Sequence, residues 1–288
     1  MMRLLFPNLA YLADLSSPAG GWQAGDLSID ALHDPVLGHV ARSTGLDPKK
    51  TRVSFALDRP RQVGGLVVLG HNLSTGARLI VQGAHDAAFT DIVFNPGAEP
   101  VEVYPRLFRT RDLAWSHPNW FSGKPLVEDL GITTTAAFCL FGRNWTARFW
   151  RVVFDDPSNG DGFVDVGKVF LGPAFDPPHN YMFGAALSVQ DESRMTQSLG
   201  GTRFFDRRGK RRRMEFAFDM LRERREFSRW FDMTARLGIT DEVMVIPDPD
   251  DIRNLQRRSF CAHLREPTPL EQAFHKHMSA SLVAEELI

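Results

Sequence analysis

The chain has 288 residues, a formal net charge of −1 at pH 7, 43% hydrophobic residues and 24% charged residues. This composition is that of a globular protein, which excludes a disordered or fibrous chain, and the length predicts two domains. The near-zero charge excludes steering of the whole molecule toward nucleic acid or an anionic membrane, and no apolar run approaches the roughly 18 residues that a membrane span requires.

The start of the chain and its cysteines indicate synthesis in a cytosol. The first apolar run is broken by Pro7 and Asn8, so we expect no signal peptide. Cys139 and Cys261 are the only cysteines, and they lie far apart without the spacing of a metal site. Reduced thiols are therefore expected.

Short strands are predicted along the first part of the chain. Residues 51–58 alternate polar and apolar side chains, which is typical of a half-buried antiparallel strand. Residues 63–70 form a continuous apolar run, as expected of a strand buried on both faces. Further strands are predicted at residues 77–83, 89–94 and 133–141. With a hairpin that follows, about seven or eight strands and few helices indicate a β-sandwich or jelly roll.

Residues 147–154 and 163–172 predict the hairpin that closes the sandwich. Both runs are rich in aromatic and β-branched residues. The loop between them, residues 155–162, carries clustered carboxylates, which Ca²⁺ prefers as ligands. Alignment with an EF-hand loop, however, puts Pro157 at the first ligand position and Lys168 where a glutamate is required. A solvated turn is therefore favoured, and a metal site of another type stays open.

The order of these elements resembles a galactose-binding-like (discoidin-type) jelly roll of the sort found in bacteriophage tail proteins. The resemblance rests on the strand that ends at Asp58, the turn at Pro60, and residues 63–74, 147–151 and 170–172. It implies a sandwich whose ligands sit in loops at one end, where aromatic faces and polar side chains grip sugars. Function must still be argued from the site, because one fold hosts many functions.

The long connection from residue 108 to residue 131 carries the candidate carbohydrate-binding residues, Trp115, His117, Asn119 and Trp120. Two tryptophans with an imidazole and an amide between them would form a saccharide platform, because an indole offers an apolar face and a polar edge. In the alternative, Trp115 and Trp120 pack onto the sandwich as a lid, since large aromatic residues are buried on average.

A smaller β-rich domain with one amphipathic helix is predicted for residues 176–288, which leaves residues 1–175 to the first domain. Strands are predicted at residues 186–190, 200–206, 214–220, 242–247 and 259–264. In residues 214–220, two Met and two Phe side chains alternate and are expected to face inward.

The helix of this domain is predicted at residues 222–237. Phe227, Trp230, Phe231 and Thr234 recur there at helical spacing, and a glycine follows as a stop. The tail after residue 269 receives no assignment. In shape, the domain resembles the small β-rich domains that build rings in phage tail tips and baseplates.

A run of basic residues in the second domain is the other candidate interaction surface. Its members are Arg207, Arg208, Lys210, Arg211, Arg212 and Arg213. Such a run can bind an acidic partner or phosphates, or it can be a solvated hairpin tip. Nucleic acid is disfavoured, because the run sits on a strand with a core face and lacks interleaved aromatic residues.

Recognised catalytic motifs are absent from the sequence. It contains no Gly-x-Ser-x-Gly elbow, no His-Glu-x-x-His, no phosphate-binding glycine-rich loop and no Cys-x-x-Cys. We therefore predict no enzyme, no cofactor and no metal. Two alternatives stay open: His275 and His277 would share a face if they lay on a strand, and scattered carboxylates can form a glycosidase pair in space.

Together, these observations predict a structural component of a bacteriophage tail tip or baseplate, located in the virion tail and made in the host cytoplasm. Its expected partners are other tail proteins, copies of itself in a homo-oligomeric ring, and cell-surface carbohydrate. The alternative is a carbohydrate-binding module that assists a glycan-degrading enzyme, and a third reading is a host-encoded lectin-like protein.

Overall fold

The computed structural model describes residues 1–96, 100–131, 133–266 and 269–288. The chain is mainly β, as predicted, with one long helix. The strands are β1 (Arg3–Leu5), β2 (Asp14–Ser16), β3 (Ala41–Arg42), β4 (Arg52–His71), β5 (Arg78–Ala84), β6 (Ile92–Phe94), β7 (Val101–Glu102), β8 (Ala136–Asp155), β9 (Asp165–Gly172), β10 (Ala174–Phe175), β11 (Ala186–Asp191), β12 (Arg194–Gln197), β13 (Arg203–Asp206), β14 (Lys210–Arg222), β15 (Val243–Ile246), β16 (Phe260–Leu264), β17 (Leu270–Phe274) and β18 (His277–Glu286). The α-helices are α1 (Val127–Leu130), α2 (Glu223–Leu237) and α3 (Leu255–Arg258), and short 3₁₀ helices lie at Leu9–Leu12, Gly25–Leu27, Ile29–His33 and Thr110–Asp112.

The first sheet folds over on itself as a sandwich. Its strand order is β3-β9-β4-β8-β5-β6, with β2 paired to β4 and β7 paired to β5. The 20-residue strands β4 and β8 run along each other, and their register breaks after Ala56 and again after Val63. Such irregularities bend a strand, so the two halves of β4 and β8 lie in different layers. The predicted N-terminal β-sandwich of jelly-roll type is confirmed. The predicted hairpin of residues 147–154 and 163–172 is wrong, because β4 lies between β8 and β9 and pairs with both.

Alternating side chains of the two layers build the core of the sandwich. Phe55 and Trp150 from one layer and Val68 from the other belong to the same buried cluster. Phe141 stacks on Trp150 at a ring distance of 5.5 Å. Gly83 lies against the same indole, where a Cβ would come within 2.8 Å of the ring. The sandwich therefore needs glycine at this position.

The second face of β4 and β9 packs on the second sheet. Val67, Leu69 and Phe170 form a buried cluster with Met244 and Ile246 of β15. Because neighbouring side chains of a strand point to opposite faces, β4 is buried on both sides here. This confirms the interpretation of the continuous apolar run at residues 63–70.

The second sheet has the order β10-β1-β15-β16-β18-β14-β11, with β17 paired to β18. Its strand β1 comes from the N-terminus and lies between β10 and β15. Met2 and Leu4 are buried in the core of this sheet. The first strand of the chain is thus part of the second sheet, although it was predicted in the first domain. The division at residue 175 otherwise stays a prediction.

Strand β14 follows the predicted alternation except at its end. Met214, Phe216 and Phe218 are buried, but Met220 is 49% exposed and has a positive φ of 58°. The register of β14 breaks between Phe218 and Leu221, and Leu221 is buried instead. The inward position predicted for Met220 was therefore wrong, because a bulge shifts the phase of the strand.

Helix α2 forms where it was predicted and buries Trp230, but not the two phenylalanines of the predicted set. Trp230, Met233 and Leu237 face the core, whereas Phe227 and Phe231 stack on each other at 5.7 Å and are exposed. The two phenylalanines are four residues apart and therefore share one face of the helix, which is the exposed face.

The unassigned tail forms part of the second core. Strand β18 pairs with both β14 and β16, and its alternate residues Met278, Ala280 and Leu282 are buried. His277 begins β18, and its Nδ1 lies 3.1 Å from the carbonyl oxygen of His275. The two histidines therefore do not share a strand face.

A buried polar cluster also joins the two sheets. Lys168 of β9 forms an ion pair with Glu242 and donates to the carbonyl of Pro35 at 2.7 Å. The Tyr11 hydroxyl donates to Glu242 at 3.0 Å. Burial and the Glu242 charge raise the pKa of Tyr11, and burial, aided by the same charge, raises the pKa of the Cys261 thiol. The Tyr11 hydroxyl and the Cys261 thiol therefore stay protonated at neutral pH.

Candidate functional site

Three aromatic side chains form an exposed cluster in the connection between β7 and β8. The rings of Trp115 and Trp120 are 4.6 Å apart, and those of Trp120 and Phe121 are 4.8 Å apart. Trp115 is 76% exposed and Phe121 is 80% exposed. We call these three residues the aromatic platform. Trp115 does not pack onto the sandwich as a lid. The loop presents this indole at the protein surface.

Successive backbone turns place the rings of the platform next to one another. The amide of His117 donates to the carbonyl of Ala114 at 2.9 Å, and the amide of Trp120 donates to that of His117 at 3.0 Å. A third bond of 2.7 Å joins the Gly123 amide to the carbonyl of Asn119. These turns coil the segment tightly, so residues separated in sequence come together on its surface.

Asn119 holds the loop and does not face a ligand. Its side chain is buried, its amide donates to the carbonyl of Lys124 at 2.7 Å, and its Oδ1 lies 2.5 Å from Nδ1 of His117. Because its amide NH₂ and its carbonyl oxygen are both engaged inside the loop, the predicted contact of Asn119 with a sugar is corrected. His117 itself is exposed beside the platform.

Two anchors fix the loop to the end of the sandwich. Lys124 donates to the carbonyl of Thr75, in the turn between β4 and β5, at 3.0 Å, and it lies 3.4 Å from Glu102. Gly123 has a φ of 61°, and a Cβ at this position would lie 2.6 Å from the carbonyl oxygen of Phe108. Only glycine fits such a conformation and contact without strain.

The predicted basic interaction surface contains a buried member. Arg212 is 4% exposed and forms an ion pair with Glu286, to which its Nε donates at 2.8 Å. Its guanidinium also donates to the carbonyls of Gln256 at 2.7 Å and Ser259 at 3.1 Å. Arg212 therefore ties β14 to the end of α3, and its assignment to an interaction surface is corrected.

The other basic residues of the run are largely matched by nearby acids. The ion pairs are Arg208 with Asp206 at 3.5 Å, Lys210 with Asp191 at 3.8 Å, Arg211 with Glu192 at 3.7 Å, and Arg213 with Glu215 at 2.6 Å. Arg207 has no carboxylate partner in the part of the chain that the structure describes. The run is thus a charge-balanced hairpin surface more than a free cationic patch.

The acidic loop after β8 is hydrogen-bonded to the turn after β4. Asp156 is fully buried and accepts bonds from the backbone amide of Ser74 at 2.7 Å and from its hydroxyl at 2.5 Å. Asn159 donates to the carbonyl of Asn72 at 3.2 Å. The expectation of a solvated turn was wrong for these side chains, because the loop closes on the sandwich.

The described residues contain neither a metal-binding cluster nor a membrane-spanning helix. No group of three or more His, Cys, Asp or Glu residues there is arranged to hold a metal ion. Across the same residues, every helix is too short or too polar to cross a membrane.

Comparisons with known proteins give structural likenesses alone. No protein-family model matches the sequence, and no curated protein matches it. The solved structures that resemble part of the chain include carbohydrate-binding modules, among them one from a family 31 glycoside hydrolase of Clostridium perfringens.

Three of these structures illustrate the likeness. The family 32 module of Clostridium perfringens NanJ, solved with galactose, is 8% identical with a TM-score of 0.34, over 61% of this chain and 100% of that chain. The family 32 module of Streptococcus pneumoniae EndoD is 12% identical with a TM-score of 0.32, over 56% and 92%. A chitosan-binding module from a Paenibacillus chitosanase/glucanase is 10% identical with a TM-score of 0.34, over 58% and 98%. At such values function has to be argued from side chains.

Proposed function

We propose that this chain is a non-catalytic carbohydrate-binding protein and that the aromatic platform is its site. The observation that carries the proposal is the pair of large aromatic rings, Trp115 and Phe121, held in water at 76% and 80% exposure. Leaving such a side chain exposed forgoes about 1.5–3 kcal/mol of burial energy for each residue. Two exposed rings on a loop that is anchored to the sandwich therefore indicate a surface that a ligand covers.

The chemistry of the platform suits a sugar. The C–H face of a pyranose is apolar and packs on an aromatic ring, while its hydroxyls need polar partners at the edge. The exposed His117 supplies such a partner next to Trp120. Trp120 is itself half-buried between the other two rings, so it sets the angle at which they present their faces.

A glycan array followed by calorimetry on the best ligand tests this proposal. Trp115→Ala and Phe121→Ala should each weaken binding about tenfold or more, as truncation of a central aromatic contact does. Phe183→Ala is the matched control, because this phenylalanine is fully exposed outside the platform. Absence of any glycan ligand, or equal loss in all three variants, would refute the site.

In the finer form of the proposal, the chain is a module that assists a glycan-degrading enzyme. It should then increase the rate at which such an enzyme acts on an insoluble glycan, without releasing reducing sugar by itself. Release of reducing sugar by the purified chain would contradict the non-catalytic assignment.

A second candidate, a structural component of a bacteriophage tail tip or baseplate in the virion, is favoured by the hairpin of β12 and β13. All residues of both strands are exposed, among them Met195, Phe204 and Phe205, and Leu199 at the tip is fully exposed. An uncovered apolar hairpin is typical of a protein interface. We propose that it contacts neighbouring tail proteins or copies of this chain in a ring assembled in the host cytoplasm.

Sedimentation velocity separates this candidate from a simple binding module. The full chain should associate as its concentration rises, and Phe204→Ser with Phe205→Ser should abolish the association. Val127→Ser, at 75% exposure in α1, is the control and should associate normally. A chain that stays monomeric at every concentration would exclude self-assembly through the hairpin.

A further inference from the structure

A large apolar cleft lies between the two sheets and is separate from the aromatic platform. Its volume is about 510 Å³, which is within the range of small-molecule sites. Its walls come from the connection after β7, from β11, and from the segment before α3. The apolar lining residues include Val103, Leu107, Phe108, Leu187, Val189 and Ile252.

Several apolar residues of the cleft are exposed to solvent. Val189 is 64% exposed, Ile252 is 54% exposed and Leu187 is 44% exposed. These three residues come from two different segments, and the chain leaves them uncovered although they face a common space. Such an arrangement favours an occupant with an apolar body.

Two arginines without acidic partners, Arg253 and Arg257, line the cleft, and two more line a depression beside it. Arg253 lies with its guanidinium 5.6 Å from the ring of Phe108, and Arg257 is exposed on the same segment. Leu107 and Phe108 also line an adjoining depression of about 390 Å³ that carries Arg106 and Arg109. Within the described residues, none of these four arginines has a carboxylate oxygen within 4 Å.

Among the described residues, Glu102 is the acid that lines the cleft, and it is already matched. Glu102 is paired with Lys124 at 3.4 Å, and Asp251, beside the cleft, is paired with Arg258 at 3.3 Å. The buried Arg212, which also lines the cleft, is neutralised by Glu286. The arginines at the cleft therefore exceed the unpaired acids that line it, which favours an anionic occupant.

We propose that this cleft binds a single-chain amphipathic anion, with its alkyl chain in the apolar cleft and a phosphate head among Arg106, Arg109 and Arg253. The planar fork of an arginine matches the oxygens of phosphate, and charge-assisted bonds of this type are stronger than neutral ones. The apolar walls offer few partners for sugar hydroxyls, so the site is distinct from the aromatic platform and does not depend on it.

Calorimetry on the full chain with dodecyl phosphate, kept below its micelle concentration, tests the proposal. We expect saturable one-to-one binding. Dodecanol lacks the phosphate head and inorganic phosphate lacks the alkyl chain. Each should therefore bind at least about tenfold more weakly.

Matched variants locate the site. Val189→Asp and Ile252→Asp should each weaken dodecyl phosphate binding about tenfold or more, whereas Ile239→Asp, at a similar exposure of 58% outside the cleft, should not. Arg253→Gln should weaken binding by a similar factor, and Arg59→Gln, whose side chain is 72% exposed elsewhere, should not. Thermal unfolding of each variant is the control for folding, and each variant should show a cooperative transition.

Several results would overturn the proposal. Binding of dodecanol as tight as that of dodecyl phosphate would remove the role of the arginines. Binding that appears only above the micelle concentration would indicate adsorption to a surface. A dimer of the full chain that Val189→Asp dissociates would show that the cleft is a protein interface.

Discussion

Removing the guanidinium of Arg212 should destabilise the chain far more than removing that of its sequence neighbour. Arg212 and Glu286 are 4% exposed each, and Arg212 also donates to carbonyls before β16. The variant Arg212→Ala leaves a buried carboxylate without a counter-charge and leaves those carbonyls without a donor. Breaking a buried pair in this way costs about 3–5 kcal/mol.

Arg211→Ala is the internal control for this prediction. The side chain of Arg211 is 43% exposed, and its ion pair with Glu192 is long, at 3.7 Å. Exposed pairs of this kind contribute about 0–1 kcal/mol. Urea unfolding of both variants and the wild type at neutral pH measures the difference, which should be at least about 2 kcal/mol in the free energy of unfolding.

A double variant tests the stated cause. If the cost of Arg212→Ala comes from the uncompensated charge of Glu286, then Arg212→Met with Glu286→Leu should be more stable than Arg212→Ala, because no charge remains buried. The reasoning is refuted if Arg212→Ala and Arg211→Ala unfold at the same urea concentration, or if the double variant is the least stable of all.

Three other predictions follow from close contacts and burial. Gly83→Ala should destabilise the sandwich by about 1–3 kcal/mol in urea unfolding, because the added Cβ would lie 2.8 Å from the Trp150 ring; an unchanged midpoint would contradict this. Gly123→Ala should disorder the platform loop, where φ is 61° and Phe108 is close; faster proteolysis in this loop with unchanged global unfolding is the expected readout, and an unchanged cleavage rate would contradict it. Burial lowers the pKa of His71 from 6.5 to about 4, so the unfolded state binds the extra proton between these values. Stability should therefore fall as the pH falls through this window, by at most about 1.4 kcal/mol per pH unit, and His71→Gln should show a flatter profile in urea unfolding at several pH values; equal profiles would disprove it.

Local patterns were sufficient to predict most strands of the sandwich. The alternation at residues 51–58 and the apolar run at residues 63–70 both lie in β4, where their burial follows the predicted pattern. Period-two alternation depends only on neighbouring residues along one strand, so it can be read without knowledge of the partner. The same holds for β14 up to Phe218, where a bulge ends the alternation.

Small residues concealed one central strand. The buried positions of β18 include Ala280 and Ala284, which carry little hydrophobic signal although they lie between two strands. Its burial is decided by the packing of β14 and β16 on either side, and neither contact is visible along the local sequence.

The candidate site could also be predicted only in part from the local sequence. Trp115, Trp120 and the polar residues between them were recognisable in the sequence as a candidate binding loop, because an indole offers an apolar face and a polar edge. Which of them face water depended on contacts made elsewhere: Asn119 is turned inward by the carbonyl of Lys124, and Lys124 is held by Thr75.

The amino-acid sequence alone determined the mainly β class, the sandwich and the aromatic loop, because these follow from alternation and residue type over short distances. Only the tertiary structure decided that the N-terminal strand joins the second sheet, that Arg212 is buried, and that Arg253 and Arg257 line an apolar cleft. The physical reason is that burial and electrostatic pairing are set by residues far apart in the chain: Glu286 lies 74 positions from Arg212, and the ion pair forms only when β14 and β18 lie in one sheet.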